Sequence, residues 1–362
     1  MEARAVKQGG RLAPRLFSCC LALSLALGGC GAREQRFQAQ FLGPFDTVTT
    51  VVGYTKQKER FQEQVQFLHD ELEQYHRLYD IYHDYEGVVN LKTLNDHAGQ
   101  GPLSVDRRII GLLRCAKEME ALTSGKVNVA LGSVLSLWHG CREQALSDPL
   151  SARLPDDRAL RGAAGHCDLS KVMIDEAAGT VAILDPGLRL DVGAIAKGYA
   201  LREVCAQLEE QGADQLLISL GGNVCAIGGM DRARTPFSVG LLDPQSGDEQ
   251  RYLLTLGLQD CTVATSGDYQ RYFTLDGVRY CHIIDPQTLY PARHCQSVSV
   301  LARDPALCDA LSTALFCLSP EEGLALIESL PGVEAFWLLP GGGRRQSSGF
   351  SAAVLEGESL LP

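Results

Sequence analysis

Three polar signatures interrupt otherwise apolar stretches in the second half of this chain. They are Asp191-Val-Gly-Ala-Ile-Ala-Lys197-Gly198, His282-Ile-Ile-Asp285-Pro-Gln-Thr288 and Asp309-Ala-Leu-Ser312-Thr313. Asp191 closes a strand-like run, and Gly193 lets the backbone turn into a following helix. The free N–H groups of that helix's first turn are expected to form an anion site. Lys197, about one turn further, adds a full positive charge. Asp309 and Thr313 stand four apart on a predicted helix and share one face, with Ser312 beside them. One carboxylate with neutral oxygens suits a hard cation of the magnesium kind, whose other ligands come from phosphate and water. His282 follows an apolar strand and precedes a turn enforced by Pro286. It reads either as a satisfied core histidine or as a general base, since its ordinary pKa lies near working pH. Each signature alone has a bland reading, a solvated lysine or a polar helix face. Together they point to an enzyme that uses a nucleotide.

The elements that must position these residues follow from periodicity. Phe45–Val52 is β-branched and predicts a strand, and Lys58–Tyr79 has helical period with charged faces. Asp106–Ser124 predicts a second amphipathic helix with Ile109, Leu112, Leu113 and Met119 inward. Asn128–Trp138 is apolar and rich in small residues, and Ser147–Ala164 reads as a surface loop-helix segment. Thr180–Leu184, the turn Asp185-Pro-Gly187 and Leu188–Leu190 predict a hairpin. A helix is expected over Ala194–Glu210, stopping at Gly212, then a strand Gln215–Ser219 running into Gly221-Gly222. Phe237–Leu242 and Tyr252–Leu258 are expected to continue the sheet. Asp276-Gly277 suits a primed hairpin turn between Arg271–Thr274 and Val278–Cys281. Asp304-Pro305 opens a helix to about Leu318. Ser319-Pro320-Glu-Glu322 opens another, with Ser as N-cap and Glu at the third position. Val333–Leu338 and Phe350–Leu355 close the set. Strands joined by hairpins and mixed with helices indicate α+β, with mainly antiparallel sheets.

The N-terminus is set apart. Arg4, Lys7, Arg11 and Arg15 precede a short apolar stretch, Leu16–Leu27, that ends in Gly28-Gly29-Cys30. The stretch is too short for a spanning helix. It resembles a bacterial lipoprotein signal cut before Cys30, with an ordinary signal peptide as the alternative. The expected organisation is a signal at 1–29, a polar tether at 30–40 beginning with lipidated Cys30, and one domain at 41–358. The protein would then be lipid-anchored on the outer face of the cytoplasmic membrane. The chain carries a formal charge of −11, and loss of its basic leader makes the rest more acidic still. That excludes nucleic acid as an expected partner. It also means that an anionic nucleotide must be met by local charge, a helix end or a metal. Ten cysteines follow Cys30 without any Cys-x-x-Cys, so most are expected to be small buried apolar residues.

Taken together, the residues from about Phe45 to Leu355 closely resemble the ApbE family, FAD:protein FMN transferases. The resemblance includes the Asp-x-Gly-Ala-x-x-Lys-Gly signature, the Ser219-Leu-Gly-Gly222 loop, Thr265-Ser-Gly267, the His-x-Ile-Asp-Pro-x-Thr segment and the Asp309 helix. It implies a T-fold-like, two-lobed single domain. It implies magnesium-dependent transfer of FMN from FAD to a threonine hydroxyl of an extracytoplasmic flavoprotein, releasing AMP. The acceptor would carry a Ser/Asp-Gly-Ala-Thr-like motif. By position, Phe45, Tyr82, Lys126, Val127, Asn128, Asp191, Lys197 and Ile283 would contact FAD. Mg²⁺ would be held by the Ala194 main-chain oxygen with Asp309 and Thr313. Lys197 would neutralise phosphate charge, and His282 would take the threonine proton with Asp285 orienting its ring. Three positions depart from the family pattern. Phe45 stands for a frequent methionine, Asn128 for a frequent aspartate, and Ser312 for a second aspartate found in some members.

Two other functions use the same residues. With water in place of threonine, the site becomes an FAD pyrophosphatase yielding FMN and AMP. Without turnover, the chain is an FAD-binding lipoprotein, although a pure binder has little need of a metal-ligand helix.

Overall fold

The computed structural model describes residues 34–246 and 251–356. The proposed leader and Cys30 lie outside these residues. The helices are α1 (Lys58–Tyr79), α2 (Leu91–Asp96), α3 (Arg107–Leu122), α4 (Gly132–Ser147), α5 (Asp157–Ala164), α6 (Ala196–Glu210), α7 (Pro305–Cys317) and α8 (Pro320–Glu328). An eight-stranded sheet runs in the order Gln35–Leu42, Val48–Thr55, Gln215–Leu220, Asn223–Gly228, Thr262–Gly267, Ser297–Ala302, Glu334–Leu338, Arg344–Gln346. All its neighbours pair antiparallel. The α+β class with antiparallel sheets is therefore as expected. Among the described residues no helix is long and apolar enough to cross a membrane.

Alternation along the strands buries apolar side chains on both faces of the large sheet. On one face Val51, Ile218 and Leu220 pack with Phe61, Leu68 and Leu72 of α1 and with Leu201, Val204 and Leu208 of α6. The buried α1 positions recur at helical spacing, which is why its limits were readable from sequence. On the other face Ala226 and Val263 meet Phe237, Leu254, Leu256 and Leu258. Phe237–Leu242, Tyr252–Leu258 and Val354–Glu356 thus form a separate three-stranded sheet stacked on the first. The expectation that they extend the main sheet is corrected: their apolar faces cover it.

Other corrections are local. The segment expected as tether is already strand from Gln35, paired with Val48–Thr55 from Gln35↔Thr55 to Leu42↔Val48. The strand expected from Phe45 begins at Val48, because Gly43-Pro44 and a short 3₁₀ turn break the extended run, with Phe45 and Asp46 at φ 57° and 52°. The hairpin expected over 180–190 does not form. Thr180–Ile183 pairs instead with Val172–Asp175. The Asn95 amide takes the place of a ladder partner for Leu190, donating to its carbonyl at 2.9 Å and accepting its N–H at 2.6 Å. Phe350–Ala353 is a 3₁₀ turn, and only Val354–Glu356 is strand.

The start of α7 forms as read, with the Asp304 carboxylate accepting the Ala306 and Leu307 N–H groups and Pro305 in the first turn. The Ser319–Glu322 capping box starts α8. Asp276 and Gly277 both take positive φ in the hairpin between Tyr272–Leu275 and Val278–Cys281. All ten described cysteines are free thiols, and seven of them are buried.

Candidate active site

The signature helices meet at one point. Gly198 in the first turn of α6 donates its backbone N–H to Asp309 Oδ2 of α7 at 2.8 Å. A Cβ at Gly198 would lie 2.5 Å from Asp309 Cβ and would collide with the Pro305 carbonyl oxygen. Only glycine permits this approach. Asp309 is buried, and its Oδ1 lies 3.7 Å from Lys197 Nζ, an ion pair longer than a hydrogen bond.

The expected anion site at the start of α6 is corrected by this arrangement. The Gly193 N–H goes to Asp191 Oδ1 at 3.0 Å, the Ile195 and Ala196 N–H groups go to Val192 O, and the Gly198 N–H goes to Asp309. Four N–H groups at the start of α6 are thus taken by the Asp191 and Asp309 carboxylates and the Val192 carbonyl. Lys197 remains as the cationic group of the signature.

The donors expected for magnesium fit a hard cation. Among the described residues Asp309 Oδ1 accepts no hydrogen bond, Thr313 lies one turn along the same helix, and Ala194 lies in the turn leading into α6. Among the described residues no cluster of three or more His, Cys, Asp or Glu side chains forms a closed metal cage. A cation held there would need substrate oxygens and water for its remaining ligands. Ser312, where a second carboxylate occurs in some family members, is buried. Its hydroxyl pairs with Ser266 Oγ at 2.8 Å and donates to Asp309 O at 2.9 Å.

His282 is held by its neighbour across the hairpin. Both its backbone N–H, at 3.0 Å, and its ring Nδ1, at 3.2 Å, point to the Arg271 carbonyl. A carbonyl only accepts, so Nδ1 carries the proton and Nε2 keeps its lone pair. Burial first, then the charges of Arg271 and Lys197, push the His282 pKa down to about 4. The ring is neutral at pH 7, as a base requires.

Asp285 does not orient that ring. Its buried carboxylate accepts from Lys126 Nζ at 2.9 Å, while Lys126 also donates to Gln287 Oε1 at 2.9 Å. The pair ties the 123–131 loop to the 285–290 turn, which is closed by Asp285 N–H to Tyr290 O and Leu289 N–H to Asp285 O. The expected role of Asp285 as ring orienter is corrected: its carboxylate clamps Lys126 instead. Asn128 is also engaged internally, donating to Cys167 O and accepting from the Ala130 N–H, both at 2.8 Å. Val127 is buried, with its N–H on Thr123 Oγ1. Ile283 is buried next to His282 and accepts from the Ala292 N–H.

Asp191 joins the clamp loop to the signature, its N–H donating to Val129 O at 2.8 Å. Its charge also acts on Tyr82, whose pKa burial and Asp191 push up to about 12. Phe45 is linked to Tyr82 through a chain of polar contacts. The Phe45 N–H meets His76 Nδ1 at 3.2 Å, His76 Nε2 meets Tyr85 OH, and Tyr85 OH donates to Asp80. Asp80 in turn accepts the Tyr82 N–H.

Sequence reasoning missed His139, Arg142 and Arg271. His139 bonds to Tyr82 OH, and Arg271 holds His282. Arg142 and Arg271 both depress the His282 pKa. The one available signal was a histidine and an arginine three apart directly after the apolar run that ends at Trp138.

A family model described as the ApbE family matches residues 45–337. A Treponema pallidum protein named FAD:protein FMN transferase is 38% identical over 272 residues, covering 72% of this chain and 73% of that protein. A Klebsiella pneumoniae protein of the same name is 31% identical over 274 residues, covering 72% and 81%. Among solved structures, the ApbE protein of Thermotoga maritima superposes with a TM-score of 0.76 at 28% identity, covering 89% of this chain and all of that one. The flavin transferase ApbE of Vibrio cholerae gives 0.72 at 25% identity, covering 88% and 100%.

Proposed function

Since the chain belongs to the ApbE family, we propose that it is an FAD:protein FMN transferase, moving FMN from FAD to a threonine hydroxyl of an acceptor flavoprotein and releasing AMP. The observation that carries this reading is the neutral His282, with a free Nε2, under the influence of Lys197, which itself pairs with Asp309.

In this reaction the threonine oxygen bonds to the flavin-side phosphorus of FAD. The anhydride P–O bond breaks, and AMP leaves with the bridging oxygen. His282 Nε2 accepts the hydroxyl proton. Lys197 offsets charge on the phosphoryl oxygens, because phosphoryl transfer is governed by positioning and charge neutralisation. Asp309, Thr313 and the Ala194 carbonyl would hold Mg²⁺, which supplies Lewis-acid stabilisation of the pyrophosphate when bound. Tyr82 and Phe45 supply aromatic surface for the flavin or adenine ring. The Lys126–Asp285 clamp keeps the loops in register.

The residues around Cys30 support a further part of the proposal, a lipid anchor that holds the enzyme on the outer face of the cytoplasmic membrane, where it meets an acceptor carrying a Ser/Asp-Gly-Ala-Thr-like motif. Lipid labelling of the wild type and its loss in Cys30→Ser test that part.

The deciding experiment incubates the protein with FAD, Mg²⁺ and a flavoprotein domain carrying such a threonine, followed by intact mass of the acceptor. A gain of one FMN less water, lost with EDTA, is the expected result. FMN and AMP released without that gain would replace transfer by hydrolysis. Intact FAD with several acceptors would overturn the enzymatic reading.

A further inference from the structure

Arg293 is exposed, and among the described residues its side chain forms no ion pair and no hydrogen bond. Its guanidinium lies over the Tyr280 ring, 4.9 Å from the centroid. That ring is itself fixed, stacked on Phe273 at 5.4 Å and on the buried Trp138 at 6.1 Å. The backbone leading to Arg293 is pinned as well. The Ala292 N–H donates to Ile283 O at 3.0 Å, and Pro291 bridges to Ile284. A guanidinium stacked by its face keeps its N–H edge clear, and that edge matches a carboxylate through two parallel hydrogen bonds.

Arg293 lines a cavity of about 490 Å³, together with Tyr280, Thr288, Tyr290 and His294. The one acid in the lining is Asp285, and its Oδ1 is already held by Lys126 Nζ at 2.9 Å and by the Gln287 N–H at 3.1 Å. The Arg293 charge is therefore unopposed, in a chain that is −11 overall. Such a cavity is complementary to an anionic group brought by a partner.

The fold ties this cavity to the chemistry. Tyr280 and His282 are two apart on one extended run, whose register against Tyr272–Leu275 continues to the bond from the His282 N–H to Arg271 O. Their side chains leave the same face, roughly 7 Å apart. With the stacking distance included, the Arg293 guanidinium stands on the order of 10 Å from His282, the span of three residues of extended peptide. We infer that the cavity seats the acceptor polypeptide, and that Arg293 pairs with a carboxylate three residues before the threonine that takes FMN. Arg293 is then a specificity-determining residue for the acceptor. The inference rests on the transferase reading: the geometry sets the spacing, and the acceptor motif of that reading, with Ser or Asp three before the threonine, sets the direction.

The test measures FMN transfer by the full-length protein to two flavoprotein domains that differ only in Asp or Asn three residues before the threonine. Arg293→Gln is expected to raise KM for the Asp acceptor about tenfold, the loss of one hydrogen bond between charged groups, with kcat near wild type. The Asn acceptor should lose little further in Arg293→Gln, because both changes remove the same contact. Arg293→Glu should reverse the preference toward an acceptor with Lys at that position. FAD affinity, read by quenching of flavin fluorescence, should stay at the wild-type value in both variants, and so should the unfolding midpoint. An unchanged KM, equal losses with the Asp and Asn acceptors, or weakened FAD binding would overturn the assignment. If wild type transfers FMN to neither acceptor, the transferase reading fails and the inference falls with it, which is seen before any variant is made.

Discussion

Gly198 and Asp309 meet where two helices approach so closely that a backbone N–H reaches a carboxylate at 2.8 Å and no side chain fits between them. The contact settles two matters at once. It holds the carboxylate proposed for the metal, and it spends the N–H that would otherwise have greeted a phosphate. Negative charge at a helix N-terminus is favourable by about 0.3–1 kcal/mol or more where partly buried. Asp309 is therefore placed by helix electrostatics before any cation arrives.

Gly198→Ala should force α6 and α7 apart. Overpacking of this kind costs about 1–3 kcal/mol. The expected outcome is a lower unfolding midpoint together with a higher Mg²⁺ concentration for half-maximal activity, read by thermal melts and a metal titration. A stable variant with an unchanged Mg²⁺ requirement would separate the helix contact from the metal.

Asp309→Asn keeps size and an acceptor for the Gly198 N–H while removing the charge. Transfer of FMN should fall by about a hundredfold or more, as expected when a group that neutralises a phosphoryl transition state is lost. The melt should change little, which distinguishes this variant from Gly198→Ala. Rates and unfolding curves on the same preparation check it.

His282 supplies a pH signature. Its folded pKa, about 4, is depressed below the ordinary value of about 6.5. The unfolded chain therefore binds the proton more readily between those two values. Stability contributed through this group is fully present above pH 6.5 and is lost as pH falls toward 4. Activity that depends on neutral His282 should likewise hold through pH 6 and decline only near 4. Arg271→Ala, which removes the largest charge effect on the ring, should move that decline upward. A decline centred at 6.5 in wild type would show that His282 is not the base.

Lys126 and Asp285 form a buried ion pair at 2.9 Å. Removing one partner strands the other charge, and such changes cost about 3–5 kcal/mol. Lys126→Met and Asp285→Leu should each melt far below wild type. The double variant should recover part of the loss, because no unpaired charge remains. A double-mutant cycle on unfolding free energies measures the coupling.

Legibility differed by element for physical reasons. The α1 helix was readable because its buried residues repeat at helical spacing, and α7 and α8 because their caps use the residue types that satisfy free N–H groups. The 180–190 hairpin was misread because the Asn95 amide substitutes for a strand partner, and no local pattern announces a side chain from about a hundred positions away. At the site, Lys197, Asp309 and His282 were findable from type and spacing, and Lys197 does meet Asp309. The partner of Asp285 was not findable, since Lys126 lies 159 positions away. His139 was missed for the same reason: its partner, Tyr82, lies 57 residues earlier, and nothing in the sequence pairs them.

The first strand of the large sheet begins at Gln35, only five residues after Cys30. Five extended residues reach at most about 17 Å. If Cys30 carries lipid, the sheet edge has almost no slack, and the enzyme would ride against the headgroups instead of sweeping a wide volume. Acceptor domains would then have to present their threonine within a thin layer beside the bilayer. Such a geometry favours clients that are themselves membrane-bound and penalises those diffusing freely. Lengthening the 31–34 segment with a flexible insert would widen the client range without touching the active site.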